Sequence, residues 1–142
     1  MKLVYPIIIK KDPEDGVYLV AVPDMHEYTQ GRDFYDAIAM GRDIIGLSAL
    51  DHEDRKADYP KPSSADEAFD IVEDDPDMDF DFSDGVLTYV DIDTSAYRNR
   101  IRNRTVKKNC TIPGWLNEKA EAQGINFSGV LKDALIEIVG AE

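Results

Sequence analysis

Residues 105–116 read Thr105-Val-Lys-Lys-Asn-Cys-Thr-Ile-Pro-Gly-Trp-Leu116, and the fold turns on their first eight. Read with a period of two, Val106, Lys108, Cys110 and Ile112 face one way. Thr105, Lys107, Asn109 and Thr111 face the other. The alternation predicts a strand over 105–112, closed by Pro113. A helix is expected from Gly114 to Gln123, stopped by Gly124 at the C′ position. Asn126 then caps a last helix, whose Phe127, Val130, Leu131, Ala134, Leu135 and Ile138 form an i, i+3, i+4 stripe. One strand has two open edges, and two helices bury only one face against each other. The expected solution is a twin, with strands paired antiparallel across a two-fold axis and four helices closing over the ribbon. Its outer face would be polar and cationic, a shape that fits the DNA major groove.

Just before this strand the charge changes sign. Within 98–108 stand Arg98, Arg100, Arg102, Arg104, Lys107 and Lys108, with no acid. Residues 98–142 hold 8 basic and 5 acidic side chains, net +3, whereas residues 1–97 hold 8 and 24, net −16. Taken whole, the 142 residues carry −13 and a pI near 4.4, which argues against a nucleic-acid binder of uniform charge. Divided, they read as an acidic body with a basic appendage, an asymmetry that implies two partners. The body also has the means to fold, since 43% of the chain is hydrophobic.

Toward the N-terminus, residues 2–10 and 16–22 are β-branched and aromatic, joined by a turn with Pro13 and Asp15-Gly16. A short third strand is expected near Glu27–Gln30, ending at Gly31. Asp33 can cap a helix from Phe34 to about Leu50, with Phe34, Ala37, Ile38, Gly41 and Ile45 on one face. From Asp51 to Asp84 the chain turns polar, with a short helical turn capped by Ser63 or Ser64 and running to Ala68. Residues 85–92 return to a strand, and Asp93-Thr94-Ser95 caps a basic helix from Tyr97 to about Asn103. The fold class is therefore α+β. A β-β-β-α-β domain at 1–92 leads through a basic linker at 93–103 to a β-α-α dimerisation module at 104–142.

Bulk features narrow the setting. The single cysteine, Cys110, makes no internal disulfide, and it is expected to be a small buried hydrophobe. The N-terminal apolar run is short and broken by Pro6, unlike a signal peptide, and no stretch reaches membrane-spanning length. A cytoplasmic protein with no membrane association is expected, and the sequons at Asn103, Asn109 and Asn126 are then chance matches.

Two resemblances fit these residues. Thr105–Leu116, with Gly124-Ile-Asn-Phe-Ser128 ahead of the apolar helix, resembles the ribbon-helix-helix DNA-binding family. That resemblance implies base reading by Lys107, Asn109 and Thr111. It also implies a phosphate held at the helix start by Asn126, Phe127 and Ser128, with Arg104 as a further phosphate contact. Tyr5-Pro6, Lys11-Asp12, Asp15-Gly16-Val-Tyr-Leu-Val-Ala-Val-Pro23-Asp24, Thr29-Gln30-Gly31 and Asp36-Ala37-Ile38 are similar to the N-terminal domain of HicB antitoxins, a partial RNase H-like fold. Together they cover nearly the whole chain, in the order HicB antitoxins have them. What this implies is an antitoxin, not an enzyme. It would bind and cover a HicA-type messenger-RNA-cleaving toxin and repress its own operon on operator DNA, as a homodimer or a higher oligomer. The charge of −16 would steer a cationic toxin, and Tyr18, Met25 and Tyr28 are the expected anchors. The alternative is a stand-alone ribbon-helix-helix regulator whose acidic domain senses a ligand.

Other chemistries fit less well. The acidic run Glu73–Asp84 could start a calcium loop at Asp77, but it has Phe82 and Thr88 where Gly and Glu are needed. A solvated loop, or one that mimics phosphate toward the toxin, is expected instead. His26 and His52 lack metal or catalytic spacing, so no metal or cofactor is expected. Val4, Ile7, Ile9, Tyr18 and Val20 dominate the strands, leaving few carboxylates for two-metal nuclease chemistry. Gly46–Leu50 is expected to be core, and Trp115 and Leu116 the core of the dimer.

Overall fold

The β-branched run at the N-terminus forms strand β1 (Lys2–Lys11), which pairs antiparallel with β2 (Tyr18–Val22) and, along its other edge, with β4 (Val86–Asp93). Strand β3 (Glu27–Gly31) follows a 3-10 turn at Pro23–Met25 and pairs with β2, giving the order β3-β2-β1-β4. The computed structural model describes residues 1–140, and the chain forms two compact units, Met1–Arg104 and Thr105–Glu142.

Alternation along β1 and β2 gives the sheet two apolar faces. On one, Tyr5, Ile7, Ile9, Val20 and Val22 pack against helix α1 (Phe34–Asp54). On the other, Ile8 and Ala21 pack against helix α2 (Ala65–Glu73) and Phe82. Each fully buried Ile or Val contributes about 1.5–3 kcal/mol. Asp33 caps α1, its carboxylate accepting the Asp36 N–H at 2.7 Å. At the same place Gly31 is required by close approach, since a Cβ there would lie 2.4 Å from the Ala37 nitrogen.

Two elements exceed the sequence reading. The turn expected at Ser64 is a full helix, α2, held by a reciprocal capping box in which the Glu67 N–H donates to Ser64 Oγ at 3.2 Å. Its Ala68 and Val72 have a face to bury because Ile8 and Phe82 stand opposite. The basic helix α3 (Thr94–Arg102) begins earlier than Tyr97 and packs within the first unit. Asp93 caps it, and Tyr97 is buried against Ile45 and Ile92 of the α1-side core.

In the second unit, helices α4 (Gly114–Ala122) and α5 (Phe127–Val139) form as expected, with Gly124 at φ +66° between them and Asn126 capping α5. The strand expected over Thr105–Ile112 is not formed within the chain. The physical reason is that a ladder needs a second strand, and among the described residues no other segment pairs with this one. With no strand paired beside it, Cys110, expected to be buried, is exposed, and Trp115 and Leu116, expected as the core of a dimer, are exposed as well. Within Gly46–Leu50, Gly46, Ala49 and Leu50 are buried, but Leu47 points outward.

Candidate functional sites

The second unit contains no buried residue among those described. Its apolar side chains instead line an open groove of about 730 Å³. Lys108, Cys110 and Ile112 form one wall, and Leu116, Ile125, Val130 and Leu131 are among the residues of the other. The wall thus uses alternate residues of 105–112, the set that period two assigns to the helix side. Lys107, Asn109 and Thr111 are not in the lining, and all three are exposed. At the start of α5 the Asn126 side chain takes the Gly129 N–H at 3.2 Å. The amides of Phe127 and Ser128 fall in the helix's first turn, where no intrahelical acceptor exists, and they remain available to an anion.

The arginines ahead of this unit have neighbours in the first. Arg98 meets Glu53 and Asp54 at 3.1 and 2.9 Å, and Arg104 lies 3.5 Å from Asp43. Arg100 stands over the Tyr97 ring at 5.6 Å. Asp43 also accepts the Tyr97 hydroxyl. Burial, followed by that carboxylate, pushes the Tyr97 phenol up from its ordinary value. Glu53 accepts from Tyr59 and is held down to about 2, chiefly by that bond, with Thr94 and then Arg98 adding to it.

Tyr18, Met25 and Tyr28 do not share one surface. Tyr18 and Met25 pack on the α1-side core, Tyr18 edge-on to Phe34 at 4.9 Å between ring centroids. Tyr28 lies on the opposite face, its hydroxyl donating to Asp75 at 2.6 Å, and its phenol is pushed up by burial and by that carboxylate. All three are half-buried.

A cavity of about 430 Å³ on the α2 side was not anticipated as a site from the sequence. Phe69, Met78 and Phe80 form part of its wall, with Glu73, Asp79 and Asp81 among its polar residues. The alternation Met78-Asp-Phe-Asp-Phe82 was the available signal, because it turns the apolar residues inward and the acids outward. No group of three or more His, Cys, Asp or Glu among the described residues is arranged to hold a metal. Among the described residues no helix is long and apolar enough to cross a membrane.

Comparison with known proteins places this geometry. Residues 5–134 match the family model of the HicB-like antitoxins of bacterial toxin–antitoxin systems. A chain in a solved toxin–antitoxin complex from Streptococcus pneumoniae is 30% identical, with a TM-score of 0.58, 96% of this chain and 99% of that one being covered. The crystal structure of the Burkholderia pseudomallei antitoxin HicB is similar in fold, at 23% identity and a TM-score of 0.51, with 97% and 99% covered. No curated protein sequence gives a significant match. The mixed α+β architecture and the span of the family match agree, and the chain belongs to the HicB-like antitoxins of bacterial toxin–antitoxin systems.

Proposed function

We propose that this antitoxin binds and occludes a HicA-type, messenger-RNA-cleaving toxin through its first unit, and represses its own operon through a ribbon-helix-helix dimer of the second. It acts as a binding protein and not as an enzyme. One observation carries the dimer: a unit with no buried side chain among its described residues holds an apolar groove walled by Lys108, Cys110 and Ile112. A second copy closes that groove and supplies the missing strand. The paired strands then present Lys107, Asn109 and Thr111 outward, where side chains of this kind donate to and accept from base edges in the major groove. Asn126, Phe127 and Ser128 fix a phosphate through backbone N–H groups, and Arg104 adds a second contact.

The first unit supports the toxin role by its charge. Residues 1–104 hold 12 basic and 24 acidic side chains, so the unit carries −12 and steers a cationic partner. Tyr18 and Met25 on one face, or Tyr28 on the other, supply the apolar anchor that charge alone does not give.

The test is to read the frame next to this chain's gene for a small basic protein and to co-express the two. Rescue of growth and a co-purifying complex are expected, together with retardation of the operon's own promoter DNA. Promoter binding without rescue or complex would instead assign a stand-alone regulator with an acidic sensing domain.

A further inference from the structure

Residues 65–84 contain ten acids and no basic residue. They account for most of the first unit's excess, since the other residues of 1–104 balance 12 bases against 14 acids. This stretch is also shaped. The cavity of about 430 Å³ lies within it, with Phe69, Met78 and Phe80 presenting apolar and aromatic surface, and Glu73, Asp79 and Asp81 supplying carboxylates. Phe80 meets Phe82 edge-on at 5.0 Å, which fixes its ring.

The protein's own chain shows what such walls attract. Lys10 Nζ stands 5.2 Å from the centre of the Phe80 ring, 2.6 Å from Asp84 and 2.8 Å from the Asp81 carbonyl oxygen. An aromatic face together with carboxylates is the combination that holds a guanidinium, by stacking and by paired hydrogen bonds. Lys10 is not among the cavity's lining residues, and neither Glu73 nor Asp79 has a side-chain hydrogen bond or ion pair among the described residues. The cavity therefore offers carboxylates whose charge is not neutralised within the unit.

We propose that this aromatic and acidic cavity is the docking point for the toxin, and that it receives an arginine side chain from the toxin's cationic surface. Glu73 and Asp79 face the guanidinium, and Phe80 stacks on it. The proposal rests on the antitoxin reading and adds the place of contact. The surrounding acids present the toxin with a run of negative charge comparable to a phosphate backbone, so they compete for cationic groups that would otherwise hold RNA.

The test uses the full chain and a purified HicA-type toxin with which it co-purifies, with association and dissociation rates measured at several salt concentrations. Glu73→Gln with Asp79→Asn should slow association about tenfold at low salt and flatten its salt dependence. Phe80→Leu should speed dissociation about fivefold. The control pair Glu14→Gln and Asp58→Asn, equal in charge but outside the cavity, should stay within about twofold of the unaltered chain. Melting curves should coincide for the carboxamide changes, because the altered side chains are exposed. If the cavity variants match the control pair while the unaltered chain binds, the docking point is wrong and the antitoxin reading stands. If the unaltered chain binds no such toxin, both fail.

Discussion

Glu53 on α1 accepts from Arg98 on α3 at 3.1 Å. The first arginine of the basic stretch is thereby held against the acidic unit, and the buried Tyr97 beside it makes α3 a fixed part of that unit.

Tyr97 is expected to carry most of this docking. Tyr97→Ala should destabilise the first unit by about 3–5 kcal/mol, as large aromatic truncations in cores do. Tyr97→Phe, which removes the hydroxyl donor from Asp43 and leaves that carboxylate only the longer contact with Arg104, should cost about 1 kcal/mol. Urea unfolding followed by far-UV circular dichroism measures both.

Gly46 sits under the same ring. A Cβ there would lie 2.6 Å from Tyr97 Cε1 and 2.7 Å from Ile92 Cδ1. Gly46→Ala is expected to cost about 1–3 kcal/mol by overpacking. Hydrogen exchange should rise first in α3, which can move away, before it rises in the sheet.

Acid should act through Glu53. Its carboxyl sits at about 2 in the folded chain, against an ordinary value of 4.5. A carboxyl held down by folding stabilises the fold above its unfolded value, and that share is lost as pH falls through about 2. Urea midpoints should therefore decline from about pH 4.5 to 2, and Tyr59→Phe, which removes the largest cause of the shift, should decline less steeply.

The second unit should lose its order with its twin. Leu131→Glu puts a charge into the groove that the second copy is proposed to close, and sedimentation should change from dimer to monomer. Helical content from α4 and α5 should fall with it, because neither helix has a buried face of its own.

On operator DNA, Asn109→Ala and Lys107→Ala should each cost about 1–3 kcal/mol on the cognate sequence and relax specificity there. Arg104→Ala should weaken all sequences alike and lower the salt slope by about one. Equal loss on random DNA for Asn109→Ala would remove its assignment as a reader.

Local chemistry was legible where it is local. Asp33, Ser64, Asp93 and Asn126 cap helices as their side chains dictate, and the hairpin of β1 and β2 follows its turn. What sequence could not supply were relations between distant residues. The length of α2 depends on Phe82 and Ile8, and the docking of α3 on the fit of Tyr97 under Asp43 and over Gly46. Charge shows the same division. Residues 105–142 hold four bases and five acids, and the arginines at 98, 100, 102 and 104 belong to the first unit. Tyr18 and Tyr28 lie on opposite faces because strand alternation, readable residue by residue, fixes opposite sides only once register is known, and Met25 is placed by the 3-10 turn between their strands.

Thr105–Ile112 has no ladder within its own chain, and this makes the proposed repressor's grip a matter of stoichiometry. Order in that segment grows with the square of the free antitoxin concentration, because two chains must meet to create it. A protease that halves the antitoxin pool then removes more than half of the dimers in the weakly associated regime. The operon is released ahead of proportion, and fresh antitoxin is made while part of the old supply still persists.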